Sequence, residues 1–343
     1  MAPGARSRRE FMCAGVRIGR RSALGLMAGG AAMGLARANP TLPLMPAALT
    51  MATGEPGGGF ALFGPAWGIA AQKGTRIAVS YRASGGSAAN ILLVQQGAAQ
   101  LGMTALAVAA QAWNGHTAWT GNVPLRGFRA LCPIFETTLQ IFAPIGGAVQ
   151  RLADLAGARI GIGPAGGAGA VLIPAMLAAA GVSPRIAITG LYAEQVDLLR
   201  KGQLDACAFF GMTPLPAIRA AAARGSFTMV GFTRKEQATM GRIVPGLMPA
   251  VLPATSLPGQ SAPVATIGSG AIAICQADLP DALAGRLTDA ALTHRAALIG
   301  TLPGVTLPNG AWIDGNIPIE IHPGAAAALR RHGLEAPARL IRS

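Results

Sequence analysis

The sequence is poor in the groups that carry out chemistry. Aspartate and glutamate together number 14 in 343 residues, histidines four and tyrosines two. His116, His294, His322 and His332 each stand alone, and no pair of carboxylates is spaced for general acid–base work. Such an inventory suits binding better than catalysis, and no catalytic residue is assigned. Cysteine is scarce too. Cys13, Cys132, Cys207 and Cys275 show no CxxC or Cys/His spacing, so no metal centre is expected. Cys207 and Cys275 fall in apolar, strand-like runs and read as buried free thiols. Charged residues are 12% of the chain and aromatics 5%. The basic residues form no run of five or six and have no aromatic interleaving, which excludes a nucleic-acid partner on sequence grounds. Beyond residue 38 no apolar run is both long and unbroken enough to span a bilayer, so the mature chain is expected not to insert stably in a membrane.

What the chain has in quantity is glycine, alanine and apolar bulk. Glycines number 47 and hydrophobic residues make up 51%. Small side chains let helices pack closely on sheets, and this length accommodates two α/β lobes. The formal charge of +14 is weighted toward residues 1–38, where Arg6, Arg8, Arg9, Arg17, Arg20, Arg21 and Arg37 oppose Glu10 alone. That segment has the order of an export leader. Ser7-Arg8-Arg9-Glu10-Phe11-Met12 resembles the twin-arginine signal, and Arg20-Arg21 offers a second pair. The apolar stretch Ala23–Ala36 follows, shorter than the ~20 residues a membrane span needs. Ala36-Arg37-Ala38 then provides a small-x-small cleavage site. Cleavage after Ala38 and a periplasmic location are expected.

In the mature chain, strands alternate with helices across glycine-rich turns. Leu49–Thr53, Arg76–Tyr81 and Gln100–Met103 read as strands, with helices over Phe60–Gln72 and Ala88–Gln96. The pattern restarts with strands at Ala158–Ile162, Ile186–Thr189 and Asp205–Phe210. Val94–Met103 and Leu199–Ala208 share a helix–glycine–strand layout, read as one unit used once per lobe. The apolar runs Arg129–Ala143 and Val264–Cys275 are placed where the chain crosses between lobes. The expected fold is α/β, with two lobes of mostly parallel sheet, a hinge and an interlobe cleft. Residues 1–38 are assigned to the leader, 39–140 and 264–343 to the first lobe, and 141–263 to the second.

Three glycine loops open helices. A helix start presents free N–H groups and the positive end of a dipole to an anion. The first loop is Gly57-Gly58-Gly59-Phe60, and the second is Ser84-Gly85-Gly86-Ser87 with Asn90 one turn on. The third runs Gly163–Gly169. Gly161–Gly166 also spells GxGxxG, so a nicotinamide-dependent dehydrogenase is a competing reading. The region about 20 residues on, Ile186–Thr189, lacks the acid that would hold a ribose. Gly85–Ala89 stops short of the GxSxG nucleophile elbow. Phe209–Pro214 ends a strand and is expected to face the crevice.

In this order the pieces resemble the TAXI family of solute receptors, which serve tripartite TRAP transporters. The matching residues are Ala52-Thr53-Gly54 with Gly58-Gly59; Ser84–Asn90; Leu152–Gly157 leading into Ile162-Gly163-Pro164; Gly202–Ala206; and Ile319–Ala325. The resemblance covers nearly all of the mature chain. It implies a periplasmic-binding-protein fold, no cofactor, a small organic acid or acidic amino acid as ligand, and a TRAP-type membrane permease as partner. Carried over by position, ligand contacts fall on Gly58, Gly59, Phe60, Ser84, Gly86, Ser87, Asn90 and Thr104. In the second lobe they fall on Pro164, Gly166, Gly167, Ala168, Gly169, Phe209 and Pro214. The chain departs from the family in having Gly167-Ala168-Gly169 without a hydroxyl, and Met103-Thr104-Ala105 at a usually more polar tip. A periplasmic sensing module is the alternative that the sequence leaves open.

Overall fold

The computed structural model describes residues 45–341, apart from 224, 226, 255, 257–259 and 301–317. The leader and its cleavage site lie outside the described residues. In chain order the elements are β1 (Ala48–Ala52), α1 (Gly59–Thr75), β2 (Ala78–Arg82), α2 (Ser87–Gln95), β3 (Leu101–Ala105) and α3 (Leu106–Asn114). There follow β4 (Phe128–Pro144), β5 (Arg159–Gly161), α4 (Ala168–Ala179), β6 (Ile186–Ile188), α5 (Tyr192–Arg200), β7 (Ala206–Met212) and α6 (Pro216–Ala222). The chain ends with β8 (Phe227–Val230), α7 (Arg234–Ile243), β9 (Met248–Leu252), β10 (Val264–Gln276), α8 (Asp281–Gly300) and α9 (Pro323–Arg331).

Among the described residues the strands join one ten-stranded sheet with the path β2-β1-β3-β10-β4-β7-β5-β6, to which β8 adds on β4 and β9 on β10. The two ends of this path are parallel: β1 pairs β2 and β3, and β5 pairs β6 and β7. Between them run the long antiparallel strands β4 and β10. The C-terminal half of β10 binds β3, and its N-terminal half binds β9. The N-terminal half of β4 binds β10, and its C-terminal half binds β7 and β8. Each long strand therefore takes part in both ends of the sheet. This is the two-lobed periplasmic-binding-protein-like architecture.

Every residue of β3 is buried, as is nearly all of β4, so both strands are covered on two faces, and the polar residues they carry, Thr104, Thr137, Thr138 and Gln140, are buried as well. Trp67 and Phe63 of α1 are fully covered, and the Trp67 indole N–H donates to the Leu287 carbonyl of α8 at 3.3 Å. Burying an aromatic or aliphatic side chain of this size contributes about 1.5–3 kcal/mol. A second cluster holds the other lobe, where Phe142 meets Phe209 and Phe227 edge-on with centroids 5.3 and 5.6 Å apart. Asp205, in the turn before β7, ties β5 to that turn. Its carboxylate accepts from the Arg159 backbone at 2.7 Å and from the guanidinium at 2.6 and 3.1 Å. That guanidinium holds the Asp205 carboxyl below the usual carboxylate range. Cys132, Cys207 and Cys275 are buried free thiols, and burial pushes the Cys132 thiol up to about 12.

Several elements differ from the expected ones. Pro174, read from sequence as kinking the helix that ends near Ala180 or delaying its regular part, lies inside α4, which begins six residues earlier at Ala168. Helices α3, α6, α7, α8 and α9 and strands β8 and β9 carried no assignment from sequence. Among the described residues no helix is long and apolar enough to cross a membrane.

Candidate functional site

A cavity lies between the two lobes, with about 420 Å³ of unfilled space including its mouth. Three helix starts meet there. Gly58 and Gly59 open α1, Gly86 and Ser87 open α2, and Gly167 and Ala168 open α4. None of these three starts has a side-chain cap, so the amides of each first turn are available unless something outside the helix takes them. The apolar walls are Phe60, Ala105, Phe135, Phe210 and Met212, and Thr137 lies among them. Among the described residues no lysine, arginine or histidine lines the cavity.

Glycine is required where the loops meet. A methyl group on Gly85 would run into the Ala165 carbonyl oxygen of the opposite lobe. Gly86 adopts φ of +117°, a backbone region that L side chains rarely enter. The contact is hydrogen-bonded as well: the Gly166 carbonyl accepts from the Ala88 and Ala89 N–H groups at 2.9 and 3.0 Å. The second lobe thus satisfies part of the α2 start in this closed arrangement. Amides of Ser87, of the first turn of α1 and of the first turn of α4 remain around the cavity.

Sequence reasoning placed fifteen residues in the site, and the structure sorts them. Gly58, Gly59, Phe60, Gly86, Ser87, Gly167 and Ala168 line the cavity. The others do not, for local reasons. Asn90 is fully buried, and its amide donates to the carbonyls of Thr53 and Met103 at 2.6 and 2.7 Å, stapling β1 and β3 to α2. Ser84 donates to Asn90 Oδ1 and accepts from the Gly86 N–H, which shapes the loop. Thr104 is buried with its hydroxyl on the Ala105 carbonyl, and Ala105 takes the cavity position. Pro164, Gly166 and Gly169 build the α4 loop behind the lining residues. The Pro164 carbonyl accepts from Gly167, and a side chain at Gly169 would strike the Ile162 carbonyl. Phe209 points into the second-lobe core against Phe142 and Tyr192, because neighbouring strand residues face opposite ways. Phe210 is the one that reaches the cavity. Pro214 sits in the turn that Gln140 clamps, with Gln140 accepting from Leu215 and donating to Met212.

The Gly161–Gly166 loop, read in sequence as a dinucleotide motif, already has its polar groups engaged. Gln195 fills the loop, accepting from the Gly163 N–H and donating to the carbonyls of Gly163 and Gly190. A pyrophosphate would have to displace it.

Glu55 and Tyr192 were not singled out from sequence. Glu55, in the first glycine loop, is 9% exposed and lines the cavity. Its carboxylate accepts from the Tyr192 backbone N–H at 3.0 and 3.3 Å, so an acid of one lobe caps helix α5 of the other. Burial raises the Glu55 pKa, the Tyr192 N–H draws it back, and Glu194 pushes it up further. The Tyr192 ring lies edge-on to Phe209 at 4.9 Å, and burial pushes its phenol up. The signal available in sequence was Glu55 itself, an acid in a chain with few, placed inside a glycine loop.

Two α/β lobes closed on a cavity of helix starts make a periplasmic-binding-protein-like fold. The chain belongs to the NMT1-like family, whose model matches residues 51–333. Among solved structures it is similar to a periplasmic transporter at TM-score 0.50 and 13% identity, over 76% of this chain and 88% of that one. It is also similar to the alkanesulfonate-binding protein SsuA from Xanthomonas axonopodis pv. citri bound to MOPS, at TM-score 0.48 and 15% identity, over 87% and 97% of the two chains. A third is the GluR0 ligand-binding core from Nostoc punctiforme in complex with L-glutamate, at TM-score 0.47 and 16% identity, over 75% and 99%. At such identities the likeness concerns fold alone.

Proposed function

We propose that the chain is the extracytoplasmic receptor of a TRAP-type transporter of the TAXI kind. It closes on a small carboxylate-bearing solute and presents it to a membrane permease. The observation that supports this reading is the convergence of three helix starts, drawn from both lobes, on one cavity without a basic side chain. Helix starts supply fixed N–H donors and a positive dipole end, so an anion is held without a cation from the protein. The lobes of this receptor are residues 39–140 with 264–343, and residues 141–263. Binding would draw them together, and closure would change the face that the permease meets. Export by the leader in residues 1–38 belongs to the same proposal.

A thermal-shift screen of small carboxylates against ligand-free mature protein tests this. Stabilisation that grows with concentration is expected, since a ligand of the folded state adds RT ln(1 + [L]/Kd). A flat response across mono-, di- and amino-carboxylates would contradict it.

A further inference from the structure

We infer that the cleft takes a zwitterion, a small α-amino acid with an uncharged apolar side chain, and that Glu55 reads its ammonium group. This rests on the carboxylate-receptor reading and narrows it. Among the described residues Glu55 is the only carboxylate lining the cavity, and no basic side chain lines it. It is nine-tenths buried, and its one recorded protein donor is the Tyr192 N–H. A carboxylate offers about four acceptor positions, so most of its capacity is unspent. The charge beside it is Glu194, which repels rather than compensates. A buried carboxylate in that position is satisfied by a cation from outside the protein.

The other groups fix what accompanies the cation. The starts of α1 and α4 and the Ser87 amide suit one carboxylate. Phe60, Phe135, Phe210 and Met212 give a wall for an apolar side chain. A second carboxylate finds no cation here and meets the charge of Glu55. The acidic ligands implied by the family resemblance are therefore disfavoured in this chain. A bare amine would leave the helix starts empty.

Titration calorimetry of ligand-free mature protein separates the cases. The panel is alanine, valine and leucine, their deaminated acids propanoate, 3-methylbutanoate and 4-methylpentanoate, the amine 3-methylbutylamine, and the diacids glutamate and succinate. The expected result is binding of at least one of the three amino acids, with its deaminated counterpart weaker by about tenfold or more. Glu55→Gln should bring the amino acid and the deaminated acid to within a few-fold of each other. Equal binding of leucine and 4-methylpentanoate by the wild type, or tighter binding of a diacid, overturns the role of Glu55 and leaves the carboxylate reading standing. Silence across the whole panel overturns both. The wild-type comparison decides the matter even if the variant fails to fold.

Discussion

Glu55 holds a carboxylate among glycines and aromatic rings, where an ionised acid is poorly solvated. Its folded pKa is raised from 4.5, with burial the main cause, the Tyr192 N–H opposing it and Glu194 adding to it. A raised acid contributes stability that is complete below its unfolded pKa and is lost as pH rises through the folded value. Ligand-free protein should therefore lose melting temperature as pH climbs through that window, and Glu55→Gln should flatten the decline. Melting curves at a series of pH values check this, and an unchanged slope would contradict it. A bound ammonium reverses the preference, so amino-acid affinity should fall as pH drops through the pKa of free Glu55. Parity explains why neighbouring strand residues could not be told apart from sequence. Along β7 and at the end of β3 a strand-end segment was legible, but which of Phe209 or Phe210, and which of Thr104 or Ala105, faces the cavity depends on register. Asn90 and Ser84 look like ligand groups in sequence, and in the fold they are bonded to each other and to backbone.

Helices were legible where a glycine loop precedes an apolar run, as at α1, α2 and α4. Helices α3, α6 and α7 follow no glycine loop and were not assigned, although α7 opens on a Thr233–Glu236 capping box and α6 on Pro216, signals that the sequence did hold. The crossing of the α2 loop with the α4 loop was also beyond the sequence, since it is a contact between two lobes. Gly85 stands at that crossing. Gly85→Ala should hold the two helix starts apart, with overpacking of about 1–3 kcal/mol acting on the closed form. That corresponds to about five- to 150-fold in ligand affinity, while the melting temperature of ligand-free protein should fall only as far as it rests closed. Calorimetry beside a melting curve checks the split. Unchanged affinity would show that the crossing does not tighten on ligand.

At the scale of the whole molecule, alternation of strands and helices was enough to expect two lobes, and β4 and β10 cover the two long apolar β-rich runs. How they pair with both parallel ends of the sheet is a matter of topology that no local pattern encodes. The leader belongs to this scale. Lysine pairs in place of Arg8-Arg9 and Arg20-Arg21 should leave precursor in the cytoplasm, detected by cell fractionation, and normal export would refute the twin-arginine route.

A carboxylate held between helix starts of both lobes would perturb the amides of each. Backbone amide NMR of labelled mature protein, titrated with a solute found by the thermal-shift screen, tests it most directly. The amides of Gly59, Ser87 and Ala168 should move together and saturate at one concentration. Shifts confined to the outer groove between α5 and α6, around Val196 and Ala220, with those three amides unmoved, would contradict it.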